Sequence, residues 1–168
     1  MFAAAQRSDA VRSLTMIEPP VLQLVRGDPE VESRIATIEK VRQDVDDPRE
    51  FHLAFAKMLA APIDRIPDPL PAPLERQIRL LMNERPPWEA SPPFDVFRDA
   101  QMPVLLVSGG WDPVQEATCD RLVERLGPTA ERAVVRGKGH GAQRTGAVMY
   151  APVSVRPSSR ATLVGRSA

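Results

Sequence analysis

One cysteine, three lysines and no apolar run of membrane-spanning length are the leanest features of this 168-residue sequence. With Cys119 alone, no intrachain disulfide can form, and a reducing compartment is the simpler expectation. Lys40, Lys57 and Lys138 are few, and Lys+Arg equals Asp+Glu at 22 each, so no electrostatic footprint for nucleic acid or an anionic membrane surface is present. The shortage of lysine among the basic residues reads as codon bias rather than as arginine-driven phosphate recognition. The opening Met1-Phe2-Ala3-Ala4-Ala5 meets Gln6-Arg7 at once, too short for a signal-peptide core. The expectation is a soluble, cytoplasmic protein with no nucleic-acid or membrane partner. Its length suits one core, with room for an insertion but not for two large domains.

Two histidines far apart and one cysteine within a helical pattern make no ligand cluster, so no metal is expected. Gly137-Lys138-Gly139 is followed by His140 rather than by a Lys-Ser/Thr pair, which excludes a phosphate-cradling loop of the P-loop kind. Cofactor-independent chemistry is the expectation.

What is present is a change of pattern along the chain. Residues 3–10 read as the tail of a helix, and residues 11–17 as a strand, ended by Glu18-Pro19-Pro20 because consecutive prolines cannot donate to a ladder. Helical spacing follows: Val31, Ile35, Ile38 and Val45 after Pro29-Glu30, then Phe51, Phe55, Met58 and Leu59 after Pro48. Leu74, Ile78, Leu81 and Met82 form a third stripe, stopped by Pro86-Pro87. Residues 94–100 read as a short helix, a strand starts at Pro103, an amphipathic helix covers residues 114–126, and another strand starts at Arg132. Strand, helix, strand implies a right-handed parallel crossover. Residues 148–168 show no periodicity and read as an irregular tail.

The chemistry gathers where apolar runs stop. Val104-Leu105-Leu106-Val107 breaks into Ser108-Gly109-Gly110-Trp111-Asp112, and Ala133-Val134-Val135 leads to Gly137-Lys138-Gly139-His140-Gly141. Each run presents one ionisable residue beyond its end, as when an acid and a base are held on loops at one end of a parallel sheet. Taken singly, both signals are weak. Asp112 before Pro113 could simply cap the following helix, and a glycine-flanked histidine is common.

In combination, the order of elements and the Gly-Gly-Trp-Asp-Pro and Gly-Lys-Gly-His-Gly loops resemble the C-terminal part of the α/β-hydrolase family, over residues 3–146. In that family the acid follows the seventh strand, the histidine follows the eighth, and a helical cap is commonly inserted after the sixth. The resemblance implies a partial α/β-hydrolase fold of about three parallel strands. Its core would take residues 1–20 and 94–147, and a helical cap residues 21–93. It also implies catalytic roles for Asp112, which would orient the ring, and for His140, which would act as general base and then general acid.

Other reactive side chains read as structural. His52, among Phe51, Leu53 and Phe55, is expected on a helix surface or partly buried, and Cys119 is expected to fill core. Trp88 either reaches a substrate pocket from the insertion or, the simpler reading, packs or is simply exposed.

The family's nucleophile elbow, Gly-x-Ser-x-Gly, does not occur in this sequence, nor does an Asp or Cys counterpart or an upstream His-Gly oxyanion loop. By the resemblance, the chain starts just after the elbow, leaving its first strand with an exposed apolar edge. The expectation is a hydrolase of a small apolar ester or related bond, present as a fragment holding acid and base but no nucleophile and inactive alone. The alternative is a non-catalytic interaction module that pairs with itself or a partner through the strand edge or the cap.

Overall fold

A computed structural model describes residues 1–135, His140 and the backbone of residues 154–156. The chain divides into two compact units, Met1–Pro19 with Ser91–Ala168, and Pro20–Ala90.

Among the described residues, the first unit is built on a four-stranded sheet in the order β1-β2-β3-β4. Strands β1 (Leu14–Ile17), β2 (Val104–Ser108) and β3 (Ala130–Val134) are parallel, with Leu14 opposite Val104 and Val104 opposite Ala130. This is an α/β arrangement, three parallel strands with helices beside them. Helix α1 (Phe2–Gln6) precedes β1, and later α5 (Phe94–Asp99) leads toward β2 and α6 (Pro113–Leu126) joins β2 to β3. The sheet's interior alternates as a pleat requires: Val104, Leu106 and Ser108 of β2 are buried while Leu105 and Val107 are half-buried. From α6, Val114, Thr118, Cys119, Leu122 and Leu126 are buried, the spacing of one helical face. Phe94 and Phe97 of α5 are buried too.

Two sequence expectations need correction here. Strand β3 begins at Ala130 rather than Arg132, because its ladder with β2 starts opposite Val104 and takes in a charged residue, Glu131. The tail over residues 148–168 is not wholly irregular: β4 (Ser154–Arg156) pairs antiparallel with β3, Arg132 opposite Arg156, and so adds an antiparallel strand to the three parallel ones expected. Three residues are too few to carry a periodic signal, which is why the pattern missed them. The rest of that tail, and Gly137, Lys138, Gly139 and Gly141 of the histidine loop, lie outside the described residues.

The second unit is helical: α2 (Pro29–Asp44), α3 (Pro48–Met58) and α4 (Ala72–Asn83), with short 3-10 turns at Leu22–Val25, Ile63–Arg65 and Pro87–Glu89. Asp-Pro pairs start the first two helices. Asp28 accepts from the N–H groups of Glu30 and Val31, and Asp47 from those of Arg49 and Glu50, while each following proline needs no hydrogen-bond partner. Val31, Ile35 and Ile38 are buried on α2, and Phe51 stacks on Phe55 with ring centroids 4.9 Å apart. Arg42 ties α2 to the end of α4 by donating to the carbonyls of Leu81 and Glu84. Trp88 is buried within its turn, the packing role rather than an exposed one.

No helix among the described residues is long and apolar enough to cross a membrane.

Candidate functional site

The candidate site forms at the carboxyl ends of β1, β2 and β3, where an open parallel sheet places its ligand-facing loops. Glu18 is the first residue past β1. Its backbone N–H still donates to the carbonyl of Val107 at 2.9 Å, but its φ of 45° turns the chain out of the strand. A left-handed conformation costs a non-glycine residue roughly 1–2 kcal/mol, and such strain persists where surrounding bonds hold it.

Those bonds are specific. The Glu18 side chain is 1% exposed. Its Oε1 accepts from the backbone N–H of Gly109 at 2.9 Å and from the indole N–H of Trp111 at 2.7 Å. Its Oε2 lies 2.7 Å from Nδ1 of His140. The three partners come from the loops beyond β2 and β3, so one carboxylate gathers the ends of all three parallel strands.

Burial pushes the Glu18 carboxyl upward, but the hydrogen bonds from His140, Gly109 and Trp111 and the charge of His140 outweigh it, leaving the group below its usual value of 4.5. An ionised Glu18 can only accept, so Nδ1 of His140 carries the proton of the bond and Nε2 becomes the basic atom of the neutral ring. The His140 side chain is 39% exposed, which leaves part of the ring open to solvent. Trp111 sits against it edge-on, ring centroids 6.5 Å apart.

Asp112 is buried, 6% exposed, at the start of α6. It is the N-cap residue of α6 and its carbonyl accepts from the Glu116 N–H at 3.0 Å, but unlike those of Asp28 and Asp47 its side chain makes no hydrogen bond to the first turn of its helix. The structure thus places Asp112 and His140 on loops at the same end of the sheet, and brings Glu18 into direct contact with the ring.

Glu18 was missed in the sequence because Glu-Pro-Pro reads as a strand terminator. The signal was available: an ionisable residue just beyond an apolar strand, the same logic that drew attention to the other two loops.

The loop after β2 has a second anchor. Gly110, at φ 67°, donates its N–H to Oε1 of Glu116 on α6 at 3.0 Å. The other oxygen of Glu116 takes Arg132 Nη2 at 2.6 Å, and Arg132 Nε donates to Asp120 at 3.1 Å. Arg132 is only 3% exposed on β3.

Burial also acts on Cys119 and His52. Cys119 is fully buried, and burial pushes its thiol up to about 11. His52 is half-buried on α3 and its burial lowers the imidazole below 6.5. Among the described residues, no group of three His, Cys, Asp or Glu side chains could hold a metal ion.

No protein-family model, curated protein or solved structure matches the chain.

Proposed function

We propose that the chain carries the acid–base part of an α/β-hydrolase-type site, acting on an ester or related bond of a small apolar substrate. In this reading Glu18 orients His140 and supports its charged form, and Asp112 supplies a second buried carboxylate on the adjoining loop. The 2.7 Å contact between Glu18 and Nδ1 of His140 at the carboxyl end of a parallel sheet carries the reading. The geometry is that of a base whose tautomer is chosen by a carboxylate.

A base needs a nucleophile to activate. The sequence holds no Gly-x-Ser-x-Gly turn, so the chain by itself is expected to be a poor catalyst, since a triad without its nucleophile loses most of its rate. The test is hydrolysis of p-nitrophenyl acetate by the purified chain beside equimolar free imidazole. Rates no greater than imidazole's are expected. Turnover well above imidazole that vanishes in His140→Ala would show a nucleophile working within this chain and overturn that part of the reading.

A second reading, a non-catalytic module pairing through β1, has one observation in its favour. Among the described residues β1 ends the sheet. Leu14 and Glu18 donate their N–H groups toward β2, so by alternation those of Thr15 and Ile17 face outward, and Ile17 is 38% exposed. Sedimentation velocity across a wide concentration range decides it, a monomer at all concentrations counting against pairing.

A further inference from the structure

We infer that Glu116, clamped by the buried Arg132, is the positioning residue that holds the loop after β2 against Glu18 and so sets the Glu18–His140 contact. The inference rests on the acid–base reading above and assigns it a further part.

The loop is held from two sides by two carboxylates in alternation. Glu18 takes Gly109 N–H and the Trp111 indole, and Glu116 takes the intervening Gly110 N–H. Glu18 therefore cannot fix the loop alone: the peptide between its two donors points to the other carboxylate. Gly110 is exposed, so water competes for its N–H, and only an acceptor held in place can keep it.

Arg132 provides that restraint. A guanidinium buried in a strand is costly unless its donors are met. Here Nη2 meets Glu116, Nε meets Asp120 and Nη1 meets the carbonyl of Ala133. The ion pair leaves Glu116 with one oxygen committed to Arg132 and the other aimed at Gly110. The path runs from β3 through Arg132 and Glu116 to Gly110, then through the loop to Glu18 and His140. None of Arg132, Glu116 or Gly110 touches the reacting atoms, so their action is through position.

The experiment reads the tautomer of His140 by nitrogen-15 NMR of the full chain at alkaline pH, with His52 as internal reference. Glu18→Ala is expected to move His140 from the Nδ1–H form toward the Nε2–H form that unconstrained histidine prefers. Glu116→Ala, with its helical circular dichroism and His52 signals retained, is expected to lose a large part of the Nδ1–H population as well. The double variant E116Q/R132M keeps an oxygen at position 116 but removes the guanidinium that holds it, and is expected to lose a large part of the Nδ1–H population too. A folded Glu116→Ala chain with unchanged His140, while Glu18→Ala changes it, overturns the positioning role and leaves the acid–base reading intact. An unchanged tautomer in Glu18→Ala overturns both. Should Glu116→Ala not fold, the double variant decides, a wild-type tautomer in a folded E116Q/R132M chain counting against the clamp and its action through Gly110.

Discussion

Glu18 and His140 lie 122 positions apart in sequence and 2.7 Å apart in the structure. The contact joins the loop beyond β1 to the loop beyond β3, across β2, whose own loop supplies the two other donors to the same carboxylate. Fold and site are therefore linked at one side chain.

That linkage has a pH signature. Glu18 sits below its ordinary value of 4.5 in the folded protein, so its ionised form favours folding. Its contribution is full above the unfolded value and is lost as pH falls through the lower folded value. Urea denaturation of wild type and Glu18→Gln is expected to differ most near neutrality and to converge in acid below 4.5. A gap that stays constant down to strong acid would place the stabilisation elsewhere.

Cys119 is expected to be chemically silent in the native state. Its thiol is raised to about 11 by burial and has no exposed surface, so the reactive thiolate is scarce at neutral pH. Labelling by N-ethylmaleimide is expected to be slow in buffer and fast in denaturant, and rapid native labelling would contradict the packing of α6 against the sheet.

The helical unit owes part of its stability to two caps. Asp28→Ala and Asp47→Ala are each expected to cost about 1 kcal/mol in thermal or urea unfolding, the usual worth of an aspartate N-cap. Losses near zero would mean that the N–H groups of Glu30 and Val31, or of Arg49 and Glu50, find water instead.

These caps are also among the features legible in the sequence. Pro29 and Pro48 set helix starts, and Val31, Ile35 and Ile38 fell on the buried face as their spacing implied. Helix signals are local, so they survive in sequence. Strand limits are not local: β1 begins at Leu14 rather than Val11, and β3 at Ala130 rather than Arg132, because pairing with β2 decides them. The burial of Arg132 was invisible for the same reason, since its carboxylate partners come from α6. The glycine-broken loops are what draw attention to Asp112 and His140 in the sequence. Glu18, masked by two prolines, acquires its significance only from groups 91 and 122 positions away.

The central claim is that an ionised Glu18 accepts the Nδ1 proton of His140 and leaves Nε2 as the base. Long-range nitrogen-15 to proton correlation of the neutral ring reads this directly in the wild-type chain. The expected spectrum has the proton on Nδ1 of His140, and a shift toward Nε2 protonation in Glu18→Ala. Wild-type His140 with its proton on Nε2, indistinguishable from the Glu18→Ala chain, would contradict it.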